Sequence, residues 1–149
     1  MLKKVLVFVV LILVALGIFL FQSGKIYHFL QKDITFYEAQ TECDLHINSC
    51  EAVLKDGRSI IFDIDKPFKA GEEMNFSIQA GDFKDNELLA QIYGLNMNMG
   101  IFEYSLAKTG ENNFQGKALL PTCMSGKMNW KINIISKKDN VGASFMLEL

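Results

Sequence analysis

Hydrophobic and polar residues alternate with a period of two over much of the chain after Gly24. Such alternation is typical of a β-strand with one face in the core and the other in solvent. Five runs show it most clearly, and their inward-facing members are Ile60, Phe62 and Ile64; Met74, Phe76, Ile78 and Ala80; Phe102, Tyr104 and Leu106; Trp130, Ile132 and Ile134; and Phe145, Leu147 and Leu149. Clusters of Gly, Asn, Asp and Lys separate the runs, as turns do. The pattern predicts an all-β fold, an antiparallel immunoglobulin-like or cupredoxin-like β-sandwich of seven or eight strands.

The amino-terminal segment follows a different pattern. Residues Val5 to Phe21 carry no polar side chain, and Lys3 and Lys4 precede them. As a helix this run reaches about 25 Å, near the lower limit for spanning a membrane. A cleaved signal peptide is the alternative, but the exit from the run has no pair of small residues typical of a cleavage site. We expect a membrane anchor over residues 1–24, a juxtamembrane stalk over 25–42 and an extracytoplasmic domain over 43–149, oriented by the two leading lysines.

Composition excludes several function classes. The chain has 149 residues, of which 50% are hydrophobic, and a formal net charge of -2. This apolar content excludes intrinsic disorder, and the charge gives no general reason to bind nucleic acid. The sequence also lacks a phosphate-binding glycine loop, a nucleophile elbow, an H-E-x-x-H motif and a C-x-x-C motif. We therefore expect a protein that is not an enzyme.

Sulfur is concentrated in three segments, and the first holds two cysteines. Cys43 and Cys50 enclose a short loop just before the first predicted strand. In an oxidising compartment such a pair forms a disulfide that clamps the entrance of the domain. The alternative is a metal or redox site with His46 as a nitrogen ligand. A third cysteine, Cys123, is left free or pairs between chains.

The second segment, Gly94 to Gly100, alternates asparagine and methionine. In an extended chain the thioethers of Met97 and Met99 project from one face and the amides from the other. Soft thioether and thiolate ligands select Cu(I). The alternative is that these methionines fill gaps in the core. The flanking glycines indicate a strand end or bulge, where side chains can leave the core.

The third segment contains Cys123, Met124 and Met128. A strand is predicted to end at Pro121, a turn to carry Cys123 and Met124, and the next strand to begin near Met128. Met128 is in phase with the inward-facing residues of that strand, so it is predicted to belong to the core. Because loops gather at the ends of a sandwich, Cys123 and the Asn-Met segment can form one mixed thioether and thiolate site if they share an end.

Taken in order, these three segments resemble a group of small membrane-anchored bacterial periplasmic proteins similar to the YtkA/FixH-like sandwiches. The likeness rests on Cys43-Asp44-Leu45 with Cys50, on Gly94 to Gly100, and on Leu120 to Cys123 with Met128-Asn129-Trp130. It implies copper handling and assembly of respiratory oxidases, with a Sco-type copper chaperone or an oxidase subunit as partner. It also implies Met97, Met99, Cys123 and Met128 as metal ligands, with Cys43 and Cys50 as a disulfide or second thiol pair.

The chain differs from the known periplasmic copper chaperones in its histidines, and this difference bears on the oxidation state of the copper that we expect. Periplasmic copper chaperones with cupredoxin-like folds combine histidine and methionine ligands, whereas His28 and His46 both lie far in sequence from the methionine motif. This departure disfavours Cu(II) more than Cu(I). The leading hypothesis is a periplasmic, single-pass membrane protein that binds or passes Cu(I) by ligand exchange. The alternatives are an assembly factor that docks on a membrane complex and a thiol-disulfide enzyme that uses Cys43 and Cys50.

Overall fold

The computed structural model describes residues 2–22, 34–40, 43–122 and 126–149. The chain divides into two compact units, Met1–Asp33 and Ile34–Leu149. The first contains helix α1 (Leu2–Gln22). Among the residues searched, those that the structure describes, no helix is long and apolar enough to cross a membrane. The membrane anchor stays a prediction from the sequence.

The second unit is built from β-strands, as the sequence predicts. The strands are β1 (Thr35–Glu38), β2 (Cys50–Val53), β3 (Ser59–Ile64), β4 (Glu73–Ala80), β5 (Glu87–Gly94), β6 (Ile101–Lys108), β7 (Asn113–Leu119), β8 (Asn129–Ser136) and β9 (Val141–Glu148). They form one sheet in the order β1-β9-β8-β5-β6-β7-β4-β3-β2, in which only β1 and β9 are parallel among the described pairs. The sandwich of seven or eight strands is not confirmed, since the described strands number nine in a single mixed sheet.

The two edges of this sheet approach each other, so that the sheet nearly closes into a barrel. The backbone N–H of Gln40, just after β1, donates to the carbonyl of Glu51 in β2 at 3.2 Å. This contact brings the first and last strands of the order together. Closure matters because an open sheet leaves rows of unpaired backbone groups at both edges.

The inward-facing residues predicted from the alternation form the core. All members of the β3 and β4 runs are buried, as are the three inward residues of β8. Phe62 contacts two other buried rings, and its ring centroid is 5.0 Å from that of Phe76 and 5.2 Å from that of Phe145. These edge-on and tilted ring contacts are the favoured geometries for aromatic pairs. Phe102 and Tyr104 of β6 and the terminal Leu149 are only partly buried, but they pack against the same core.

The structured unit begins before the boundary expected from the sequence. β1 lies within residues 25–42, the segment assigned to a stalk, and the compact unit starts at Ile34. Phe36 of β1 lies over Gly142 of β9, where a built Cβ would be 2.7 Å from the Phe36 ring. The missing side chain of Gly142 therefore lets β1 add to the outer edge of β9.

Strand register places the sulfur-bearing segments at one end of the barrel. Gly94 pairs with Trp130, and Asn129 with Glu148, so β5 and β9 end where β8 begins. The end of β7 meets the start of β4, and the end of β3 lies beside Cys50 at the start of β2. We call this the sulfur end, defined by the described residues Cys43, Cys50, Met97, Met99 and Met128.

Candidate thioether site at the sulfur end

One asparagine ties the Asn-Met segment to the start of β8. The side-chain N–H of Asn96 donates to the carbonyl of Lys127 at 2.9 Å, and its side-chain oxygen accepts from the backbone N–H of Asn129 at 3.1 Å. The backbone N–H of Leu95 adds a bond to the carbonyl of Asn129 at 2.8 Å. These bonds flank Met128, so the loop that carries Met97 and Met99 is held beside the third methionine.

Gly94 allows a second close approach at the same place. A Cβ built on Gly94 would lie 2.9 Å from Cε of Met128 and 2.6 Å from the backbone oxygen of Met97. The space on the inner face of Gly94 is therefore filled by the Met128 methyl group and by the returning loop. Residues directly opposite on antiparallel strands have Cβ atoms about 5 Å apart. Gly94 is opposite Trp130, so the Met128 methyl group fills the place of the side chain that would face Trp130 from β5.

The three methionines differ in exposure. Met97 is 38% exposed, Met99 is half-buried against the core, and Met128 is 2% exposed. The prediction that Met128 belongs to the core is confirmed. The segment after Gly94 is an irregular loop rather than an extended strand, so the extended-chain geometry expected for Met97 and Met99 does not apply. The exposed fraction of the side chain instead decreases from Met97, through Met99, to the buried Met128.

We call Met97, Met99 and Met128 the thioether site. Two aromatic residues stand next to it: Phe102 of β6 and Trp130, whose rings make an edge contact at 6.1 Å. Trp130 is completely buried, and its indole N–H has no hydrogen-bond partner among the residues that the structure describes. Cys123, the fourth predicted ligand, lies outside the described residues, as do Met124 and His28.

Cys43 and Cys50 form a disulfide, which bears out the simpler interpretation of this pair. Their Cα atoms are 5.6 Å apart, within the usual range for a disulfide. Cys50 is buried at the start of β2, whereas Cys43 is half-buried in the preceding loop. The bond therefore attaches the loop to the barrel wall, and Leu45 between them is buried in the core.

His46, proposed as a nitrogen ligand, holds this loop to the last strand instead. Its Nε2 lies 2.7 Å from the backbone carbonyl of Glu148, and its ring stacks on Phe68 at a centroid distance of 4.8 Å. The backbone N–H of His46 donates to a side-chain oxygen of Asp44 at 2.9 Å. The loop is therefore held by the disulfide, by the contact with Glu148 and by the stacking on Phe68.

A shallow cleft of about 450 Å³ separates the disulfide loop from the start of β8 and the end of β9. It is lined by Cys43, Asp44, Leu45, His46, Asn129, Met146, Leu147 and Glu148. Glu148 also forms an ion pair with Lys127 at 2.5 Å, and that hydrogen bond raises the pKa of the Lys127 ammonium above its usual value. Asn129 thus belongs both to the cleft and to the clamp made by Asn96.

The sequence points to the methionines but not to the residues that assemble them. Asn96 is visible as part of the Asn-Met alternation, yet its partner across the sheet depends on the β5-β8 pairing. Gly94 is visible as a strand-end glycine, and only the structure shows what fills its space. Trp130 is predicted as core, and its unpartnered N–H cannot be seen from the pattern.

The described residues contain no group of three or more histidine, cysteine, aspartate or glutamate side chains placed to hold a metal ion. Comparison with protein-family models, with curated proteins and with solved structures finds no match to this chain. The likeness to the YtkA/FixH-like group therefore stays a resemblance carried by its three motifs.

Proposed function

We propose that this protein binds Cu(I) at the thioether site and passes it to a partner by ligand exchange, as an accessory protein without turnover chemistry. The observation that carries the proposal is the Asn96 clamp. It joins two segments far apart in sequence and brings the Met97 and Met99 loop against Met128. If Met128 served only to pack the core, the Asn96 hydrogen bonds that hold an exposed methionine loop beside it would not be needed.

The donor set suits Cu(I) by its chemistry. Thioethers are soft and neutral, and soft sulfur ligands select Cu(I) over the harder divalent ions. Met97 is exposed and Met99 half-buried, so an incoming soft ligand reaches the metal from the Met97 side. Replacing one ligand at a time lets the metal move without passing through a fully hydrated ion. Cys123 is retained in this proposal as a fourth soft ligand.

The cellular setting comes from the sequence and from the resemblance. We include in the proposal a membrane anchor over residues 1–24, a periplasmic domain, and a Sco-type copper chaperone or a respiratory oxidase subunit as the partner. The disulfide between Cys43 and Cys50 agrees with an oxidising compartment. The immunoglobulin-like or cupredoxin-like description of the sheet also belongs to the proposal.

An anaerobic Cu(I) titration against a chromophoric chelator tests the function. The full-length chain, kept in mild detergent, is compared with a Met97→Leu/Met99→Leu variant and with a Met74→Leu/Met146→Leu control. The control also removes two thioethers, one buried in β4 and one exposed in β9. We expect one tight site that the first variant loses and the control keeps. Equal binding by all three proteins would contradict the proposal.

A docking function is the second candidate, and one observation favours it. Leu95 and Ile101, which flank the methionine loop, are 49% and 50% exposed, and Met97 between them is also exposed. Exposed apolar side chains grouped in this way are typical of contact surfaces. A docking domain would still capture its membrane complex after Met97 and Met99 are changed to leucine, because leucine keeps the apolar surface.

A further inference from the structure

The two ends of the barrel are held together in different ways. Toward the sulfur end, the two edge strands are joined by the backbone hydrogen bond from Gln40 to Glu51, and the loop between them is fixed by the disulfide and by His46. At the opposite end, the turn over residues 54–58 joins β2 to β3, and the turn over residues 137–140 joins β8 to β9. These turns lie near opposite edges of the sheet, so contacts between them close the barrel there.

Arg58 makes the contact between these two turns. Its Nη1 donates to a carboxylate oxygen of Asp139 at 3.3 Å. The Asp56 carboxylate fixes the direction of the Arg58 side chain, because it accepts from Nε at 2.8 Å and from the backbone N–H at 3.0 Å. The Arg58 and Asp139 side chains are 23% and 15% exposed. An ion pair shielded to this degree is weakened less by salt than one in open solvent.

The guanidinium of Arg58 also covers the core at this end. The connection between β4 and β5 crosses the end of the barrel, because these strands are not neighbours in the sheet. Phe83 in this connection is buried, and Cζ of Arg58 lies 4.4 Å from its ring centroid, where a cation is attracted to the ring. Nη1 of Arg58 also donates to the carbonyl of Asp82 at 3.4 Å. One side chain therefore joins three connections at this end of the barrel.

The turn that receives Arg58 also holds the start of β1. The backbone N–H of Thr35 donates to the carbonyl of Asn140 at 3.1 Å. Asp139, the preceding residue, is attached to the core through its backbone N–H, which donates to Oγ of the buried Ser136 at 3.1 Å. β1 has four residues, most of them exposed, and elements with few buried contacts open more easily than core strands. The position of β1 therefore depends on the turn that Arg58 fastens.

We propose that Arg58 is a latch that keeps β1 in the barrel wall, and that reversible opening of the barrel begins when its guanidinium leaves Asp139. The β8–β9 turn then moves apart from the β2–β3 turn, and β1 separates from β9. The sulfur end stays closed, because the disulfide there is a covalent bond. Opening frees backbone groups along the edge of β9, and such an edge can pair with a strand of another chain. This inference does not depend on the proposed copper site.

Amide hydrogen exchange, followed by NMR on the full-length chain in mild detergent, tests the latch. The reporters are the amides of Thr35 and Gln40, whose hydrogen bonds hold the two ends of β1. In an Arg58→Met variant, which keeps an apolar stem, we expect both amides to exchange at least about tenfold faster, since a hydrogen bond between charged groups is lost. The amide of Leu95, which is bonded at the sulfur end, should keep its exchange rate.

A Lys66→Met variant is the control, because the ion pair of Lys66 with Asp63 at 2.7 Å joins residues three positions apart and does not connect two turns. It should leave both reporters unchanged. An Asp139→Asn variant removes the charge from the other side of the latch and should accelerate exchange as Arg58→Met does. The double variant should exchange no faster than the faster single variant, since residues that act through one contact are not additive.

Three results would overturn the inference. The first is unchanged exchange of both reporters in the Arg58→Met and Asp139→Asn variants. The second is equal acceleration of the reporters and of the Leu95 amide, because that result indicates general destabilisation and not opening at β1. The third is additive acceleration in the double variant, because the two residues would then act separately.

Discussion

Asn96 links two segments with both ends of one amide group. Its N–H donates to Lys127 and its oxygen accepts from Asn129, so neither neighbour of Met128 can move away independently. Asn98, two residues later, bonds within its own loop, where its side-chain oxygen accepts from the backbone N–H of Gly100 at 3.1 Å. The two asparagines therefore form a natural pair for comparison.

The Asn96→Ala variant should lose about 1–2 kcal/mol in the free energy of unfolding, because two backbone groups lose their partner. Its Cu(I) affinity should fall at least about tenfold, a cost of roughly 1.4 kcal/mol, as the loop leaves Met128. Denaturant unfolding and chelator competition measure the two effects. The Asn98→Ala control should keep most of the affinity. Equal losses in both variants would show that the clamp has no special part in the site.

Among the elements, the end of β5 is shaped by the absence of a side chain. The Met128 methyl group and the Met97 backbone both occupy the space that a Cβ on Gly94 needs. Gly81 lies at the opposite end of the barrel, and no described residue other than its chain neighbours has an atom within 4 Å of a Cβ built there. A change to alanine adds the same methyl group at both glycines, so the two variants differ only in what that group meets.

The Gly94→Ala variant should be destabilised by about 1–3 kcal/mol, because one of the two clashing atoms belongs to the backbone and must be displaced. It should also weaken Cu(I) binding, since Met97 and Met128 are the groups pushed apart. Thermal unfolding and the chelator titration follow both quantities. Gly81→Ala serves as the control and should change neither by much. An unchanged melting temperature for Gly94→Ala would contradict the packing described at this strand end.

The disulfide loop is a second element with a separate role. Cys43 and Cys50 close a short loop, and His46 holds that loop to the carbonyl of Glu148. Replacing both cysteines by alanine should reduce the free energy of unfolding by about 2–3 kcal/mol, the value for a loop of this length. Cu(I) affinity should stay close to that of the unsubstituted chain. Loss of the metal together with the disulfide would move the site to Cys43 and Cys50.

For the molecule as a whole, the sequence predicts those strands that have one buried and one solvent-exposed face. β3 and β4 alternate cleanly, and their buried residues are the expected ones. β5 is harder to recognise because Gln91, on its outer face, is buried as well, which hides the period of two. β1 has only four residues and pairs in parallel with β9, which is far away in sequence, so the local sequence pattern does not predict it. Closure of the sheet depends on such long-range pairing.

The same limit applies to the candidate site. Met97, Met99 and Met128 stand out in the sequence by residue type, and the core position of Met128 follows from its phase with Trp130. Their proximity does not follow, because it depends on β5 pairing with β8 rather than with another strand. The contributions of Asn96 and Gly94 arise only from that pairing. Residue chemistry was therefore predictable, and the assembly of the site was not.

The most direct test of the account is NMR of the methionine methyl groups during an anaerobic Cu(I) titration. The chain has seven methionines, so a full-length sample labelled at the methyl carbon gives few signals, and each is assigned by a Met→Leu substitution. We expect the Met97, Met99 and Met128 signals to shift together and to stop shifting at one equivalent. Met74 and Met146 should not move. Shifts confined to Met146, or no methionine shift while copper binds, would contradict the thioether site.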